Sequence, residues 1–353
     1  MSAPRRAKGP SGLVPRARSA VPEWVAPALK SVLGQVALTH AEVGDRFPLF
    51  ADPDTGRRTT TGRGSWTGGF WAGLLWLRAR YTEDEGARAA AAKYTGRLAD
   101  WVHADTATRG LIFWYGTALA DTAESAALRE RAARACRDAY DAELGLVPWG
   151  SAFGGPRLMA RVDGVPGMVP LLATVDTRAA EAHLRRHLEL CLGEDSFAWS
   201  WRYERPARSG PARGGWVPCD DPPPGWSRGR AWLLLAVADA VHHLDADDLA
   251  DVTRHLIPPR AVPSADATRP GGPLDTSAAA ITAVALLKLG RREQAVQVLE
   301  ELVRTHLSGD GRLLDGCYDL TAGTATRHEL IWGDFFLAYA LAALTGLVDA
   351  NEA

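Results

Sequence analysis

Five short stretches of this chain set aromatic, cationic or acidic residues at the start of strongly apolar segments. They are Trp66-Thr-Gly-Gly-Phe-Trp71, Val162-Asp163-Gly164, Trp226-Ser-Arg-Gly-Arg-Ala-Trp232, Asp275-Thr-Ser277 and Ile331-Trp-Gly-Asp-Phe335. A buried helix has no use for Trp, Arg or Asp in its first turn. If several such helices lie parallel, their N-termini gather at one end of the molecule. That end becomes an aromatic, polar pocket with helix dipoles pointing into it. In such a pocket an indole face can stack on a ligand ring, a carboxylate can move protons and a guanidinium can pair with an anion. The candidates are Asp163 for proton transfer, with Trp66, Trp71, Arg228, Arg230, Trp226, Asp275, Ser277 and Trp332 as the binding set.

Each candidate has a structural alternative. Asp163 could be a helix N-cap, a role Asp performs well, although a cap alone does not explain its arrival after a Trp-rich loop. The indoles could be core at the end of the fold. Arg228 and Arg230 sit in a helix's first turn, where a cation is unfavourable by roughly 0.3–1 kcal/mol unless an anion compensates. An ion pair from Arg228 to Asp275 or Asp334 would be scaffolding, and Arg230 is expected to face the pocket. Arg213, in the loop before that helix, is expected to assist it.

Composition removes whole classes. The net charge of −2 gives no basis for binding nucleic acid or a membrane surface. Scarce lysine beside abundant arginine reads as a GC-rich genome. Thirteen Trp against seven Tyr is the heavier signal: Trp-rich enzymes often stack sugars on indole faces, although core packing takes most Trp in most proteins. Cys136, Cys191, Cys219 and Cys317 lie far apart, without zinc or disulfide spacing. His242-His243 has no third ligand at metal spacing, so no metal and no cofactor are expected. Asp220-Asp221 before three prolines reads as a solvated turn. Asp245-Ala-Asp-Asp248 reads as acids favouring a helix start, with a cyclase motif as the weaker alternative. Residues 1–22 are basic, proline-rich and free of acids, without the apolar centre of a secretory signal. They are expected to be a disordered arm on a cytoplasmic protein.

Helical periodicity dominates the remainder. Helices are expected near 26–43, 67–81, 83–104, 109–121, 123–142, 166–176, 177–193, 227–243, 246–257, 275–289, 291–307 and 329–346. Every second one is apolar nearly all round, and the others are amphipathic. A helix apolar on all sides is buried, and an amphipathic one covers it. Six of each predict an all-α (α/α)6 barrel forming a single domain over residues 23–350. Two long insertions, 143–165 and 194–226, break the rhythm. They carry Trp149, Trp199, Trp201 and Trp216 and are expected to wall the pocket with short strands.

The motif set resembles the unsaturated glucuronyl hydrolases of glycoside hydrolase family 88, with kinship to the family 105 unsaturated rhamnogalacturonyl hydrolases. Residues 66–76 are similar to W-x-x-G-F-W-x-G-x-L-W, 226–232 to W-S-R-G-Q-A-W, 275–281 to D-S-S-A-A-A-I, and 331–335 to I-W-G-D-Y. The resemblance spans roughly residues 25–347 and implies the same barrel. It implies hydration of the enol-ether double bond of a 4,5-unsaturated uronic acid at a glycan's non-reducing end. A carboxylic acid protonates C4, water adds at C5, and the hemiketal opens and expels the rest of the sugar. Residues 162–172 match the segment that carries this acid, which implies that role for Asp163.

Three departures accompany the match. The family's H-D-x-G-F, whose Asp supports the acid, corresponds to Thr108-Arg-Gly-Leu-Ile-Phe113, and Asp105 is out of register. The family His before W-S-R-G is absent from residues 211–216, and the family Gln is Arg230. An altered substrate or reaction is therefore open. One alternative is a biosynthetic enzyme using Asp163 for elimination, cyclisation or hydration of a non-polysaccharide substrate. Another is a sugar-binding protein without turnover.

Overall fold

The computed structural model describes residues 20–193, 198–205, 214–244 and 246–353. Most of the expected arm and Arg213 lie outside these described residues. The helices are α1 (Val25–Val43), α2 (Gly68–Thr82), α3 (Glu85–Arg97), α4 (Arg109–Thr117), α5 (Ala123–Asp138), α6 (Met168–Ala173), α7 (Thr177–Leu192), α8 (Ser227–His243), α9 (Thr253–Leu256), α10 (Thr276–Lys288), α11 (Arg292–Glu301) and α12 (Ile331–Thr345). Each even-numbered helix packs on the next, and α12 packs back on α2, closing an inner ring of six. The odd-numbered helices cover it from outside, each against an inner neighbour. This is the (α/α)6 barrel that the alternation predicts.

Burial follows composition. In α10 only Leu287 escapes full burial, whereas α5 buries a stripe of Ser125, Leu128, Ala132, Ala133 and Cys136. Outer helices start on side-chain caps: Asp84 for α3, Thr122 for α5 and Asp176 for α7. Glycine sets the spacing of the inner ring at two points. A Cβ on Gly69 would stand 2.3 Å from the carbonyl oxygens of Leu111 and Ile112, and one on Gly110 would stand 2.2 Å from the Met168 nitrogen. Helices α2, α4 and α6 could not approach so closely with any larger residue there. Phe70, Tyr115, Trp232, Phe335 and Phe336 fill the barrel axis, with Phe70 5.1–6.3 Å from the other four rings. Beyond this plug, the fully buried Asp239 and Lys288 join α8 to α10 at 2.5 Å.

Some boundaries differ from expectation. Helix α6 starts late because Gly167 is left-handed at φ +68°. The segment expected as a helix over 246–257 is a 3₁₀ turn followed by one α turn, which Pro258 and Pro259 end. Two small antiparallel sheets sit at the N-terminal end of the inner ring. One pairs β1 (Phe47–Ala51) with β2 (Arg58–Thr61) and β6 (Glu329–Leu330). The other joins both long insertions: β3 (Met159–Arg161) pairs with β4 (Ser200–Glu204), and β4 with β5 (Gly215–Pro218).

A buried acid pair fastens the first sheet to α12. Arg58 donates to Glu329 at 2.9 Å, and Asp334 accepts from the Leu313 nitrogen at 3.0 Å. Burial raises the Asp334 pKa well above its ordinary value, and neighbouring Glu329 adds to the rise. Its protonated form therefore favours the folded state. That contribution is complete below the ordinary value of 3.8 and is lost as pH rises through the higher folded-state value. Melting temperature should consequently fall as pH rises above the ordinary carboxylate range. Asp334→Asn, permanently neutral, should flatten that slope; thermal melts across the range check this.

Candidate active site

A cavity of about 300 Å³ opens at the N-terminal ends of the inner helices. Four of them contribute at or near their starts. Trp66 precedes α2, Thr108 precedes α4, Asp163 precedes α6, and Trp226 precedes α8. The insertions add Trp149 and Arg161 on one side and Asp221 on the other, while Tyr318 and Asp319 close the rim. Trp232 forms the floor and continues into the aromatic plug. The space is sized for a sugar ring, with indole faces around it.

Asp163 does not cap a helix. It sits in a 3₁₀ turn ahead of α6, and among the described residues no backbone N–H reaches its carboxylate. Its partner is Arg161, whose Nε donates to both carboxylate oxygens at 3.0 and 3.2 Å. Arg161 also reaches Asp221 at 3.2 Å and lies over the Trp149 ring at 5.2 Å. Burial opposes its charge, but Asp163 and Asp221 outweigh burial and raise its pKa. Both Asp163 and Arg161 keep about one-fifth of their side chain exposed to the cavity.

The other carboxylates are occupied differently. Asp266 accepts from the Thr268 nitrogen and hydroxyl, and Asp319 accepts from the Ala322 nitrogen, so both shape turns. Asp105 pairs with Arg157 at 2.9 Å outside the cavity. Thr108 bonds to the Thr106 hydroxyl at 2.9 Å, so the start of α4 presents a hydroxyl and no acid. Cys317 lines the wall, but burial and then Asp275 push its thiol up to about 12, which removes it as a nucleophile at neutral pH. No group of three or more metal-ligating side chains occurs among the described residues.

Arg228 lines the wall and is held there through its Nη1 and Nη2. It pairs with Asp275 and donates to the carbonyls of Cys317 at 2.6 Å and Tyr318 at 2.8 Å. Its guanidinium lies between the Trp226 and Trp332 rings, at 5.1 and 5.4 Å. Asp275 and Ser277 are buried behind this wall: Asp275 Oδ1 accepts from the Ser277 hydroxyl at 2.5 Å while capping α10. Trp332 is fully buried behind Trp66 and Tyr318, and Trp71 is fully buried against Tyr94. None of these four faces the cavity, so their expected substrate contacts are corrected to wall and core. Arg230 is corrected as well. It lines a separate concavity of about 260 Å³ on the far side of Trp226, with Trp199, Arg260 and several prolines. Two positions along α8 turn its direction by about 200° from that of Arg228. It makes no hydrogen bond or ion pair among the described residues.

Arg161 was invisible to motif reading because it belongs to the inserted strand β3. Asp221, expected as a solvated turn, joins the site by bonding Arg161 across the sheet. Tyr318 carried no signal, since its loop becomes a rim only when Arg228 seizes its carbonyl.

No family model matches the chain. A curated unsaturated glucuronyl hydrolase from Bacillus sp. (strain GL1) is 26% identical, over 90% of this chain and 96% of its own length. A crystal structure of an unsaturated glucuronyl hydrolase from Bacillus sp. GL1 superposes with a TM-score of 0.75 at 23% identity, covering 91% of this chain and 96% of that one. The chain resembles the unsaturated glucuronyl hydrolases in sequence and has their fold. A heparin-specific enzyme of that name superposes at a TM-score of 0.79 and 18% identity, over 93% of this chain and 99% of that one. One from Streptcoccus agalactiae gives 0.76 at 18%, over 92% of both chains.

Two outcomes follow from the geometry. Arg228→Ala leaves Asp275 buried without its cation and should destabilise the fold by roughly 3–5 kcal/mol, measured by denaturant unfolding. Arg230→Gln should leave KM for a turned-over substrate within about twofold of the wild type, because the side chain lies outside the cavity.

Proposed function

We propose that the protein is a hydrolase of unsaturated uronyl sugars that uses Asp163 as its acid and base. The observation that carries this reading is a carboxylate facing a sugar-sized, Trp-walled cavity without a helix-capping or turn-forming role. Asp163 delivers a proton to C4 of the 4,5-unsaturated uronate. Water attacks C5, and the Asp163 carboxylate takes the proton that this water loses. The hemiketal then opens and releases the rest of the glycan. Trp66, Trp149 and Trp226 supply apolar faces that hold the ring and exclude bulk water. The matched relative's name and the structures that share its fold support the same substrate class.

The test is incubation with unsaturated uronyl disaccharides while following loss of the conjugated enoate absorbance. Asp163→Asn should lower turnover by about 10²–10⁴-fold with an unchanged circular dichroism spectrum. Near-wild-type turnover by that variant would remove Asp163 from the chemistry. Thr108, standing where the family carries a supporting Asp, favours a second reading: a tailoring reaction on a different anionic substrate by the same acid. Persistent absorbance with sulfated and unsulfated disaccharides alike would select it.

A further inference from the structure

A substrate that carries a carboxylate needs a cation inside the cavity. Among the described residues, two guanidiniums line it. Arg228 is 3% exposed, and its Nη1 and Nη2 are held by Asp275 and two backbone carbonyls. Arg161 has donors directed only at side chains that bend away at little cost. Its Nε holds Asp163, its Nη1 holds Asp221, whose side chain is 79% exposed, and its Nη2 has no partner among the described residues. The guanidinium is braced over Trp149, so it is positioned before any ligand arrives.

This arrangement conflicts with the chemistry. An acid catalyst must deliver a proton, but both Asp163 oxygens accept from the Arg161 Nε in the resting site. Among the described residues, no other group nearby takes over this contact. Thr108 on the α4 side is neutral. His183, on α7 behind Gly164, is held neutral by burial and by His187, and its ring bonds the Gly164 carbonyl. Arg228 on α8 is bound to Asp275, and Asp266 and Asp319 are fixed in their turns.

We propose that Arg161 is the anchor for the substrate carboxylate, and that its transfer from Asp163 to the substrate loads Asp163 with its proton. The inference rests on the reading of Asp163 as the acid. Anion binding withdraws a cation from Asp163 and brings a second negative charge beside it; both changes favour protonation. One proton enters from solvent as the anion binds. It passes from Asp163 to C4, the attacking water returns a proton to Asp163, and that proton leaves when product departs and Arg161 returns. The cycle balances, with one water added across the double bond. The resting ion pair then also keeps the acid unarmed until a uronate is present.

The probe is glucuronic acid, a saturated uronate with no double bond to hydrate. Calorimetric titration of the wild type in two buffers of different ionisation enthalpy should show uptake of about one proton per uronate bound, with affinity weakening up to about tenfold per unit of rising pH. Asp163→Asn should bind the uronate without proton uptake. Arg161→Met should weaken binding about tenfold or more and reduce uptake, and Arg161→Lys, which keeps a point charge, should retain uptake at reduced affinity. Wild-type binding without proton uptake, no measurable binding, or unchanged binding by Arg161→Met would each overturn the proposal. Because these readouts need no turnover, failure to hydrate unsaturated disaccharides would count against the hydrolase reading while the proton linkage stood.

Discussion

The buried Arg228 cluster holds the pocket end of the barrel together. Its guanidinium links the first turn of α8 to the N-cap of α10 and to the carbonyls of Cys317 and Tyr318. Asp275 serves both ends, with one oxygen capping α10 and the other taking the arginine. A lone buried charge would be costly, so the residues around it are constrained as a set. Trp226 and Trp332 close on the two faces of the guanidinium, and Trp66 and Tyr318 pack on Trp332. The aromatic wall of the cavity is thus laid over an ion pair, and an indole can lie open there only because the charge beneath it is satisfied.

Barrel closure supplies the second constraint. Six inner helices run with their N-termini at one end, so every short segment that enters an inner helix arrives at the same rim. The aromatic plug of Phe70, Tyr115, Trp232, Phe335 and Phe336 stops the cavity from becoming a channel. Glycines at 69 and 110 bring α2, α4 and α6 into close approach around that plug. The site is shallow by construction: helix starts and loops line it, and the interior is filled.

The cavity's charge pattern departs from a simple two-acid hydrolase. Thr108 presents a hydroxyl where a supporting carboxylate is expected from the resemblance, and Arg161 attaches to the remaining acid from an inserted strand. A guanidinium therefore neighbours Asp163 where the resemblance implies a second acid. A cation shared between the acid and the incoming anion couples the two events, and that coupling is the physical content of the mechanism offered above.

The sequence by itself determined the barrel. Helices α2, α4, α8, α10 and α12 are apolar all round and the intervening ones carry stripes, and that difference in period decides which are inside whatever the loops do. It also placed Asp163, Trp66 and Trp226 at one end, because each immediately precedes an inner helix. Only the tertiary structure decided which way neighbouring side chains point. Arg228 and Arg230 share one helical turn, yet one closes the cavity wall and the other faces a different concavity. Trp71, Trp332, Asp275 and Ser277 carried the same local signature as Trp66 but face inward, because the ring's closure leaves only part of each helix start open. Arg161 and Asp221 come from insertions sixty positions apart and meet through a strand pairing that no local pattern encodes. A helix's burial is a property of its own residues, whereas a site's charge pattern depends on long-range contacts between segments that carry no shared signal.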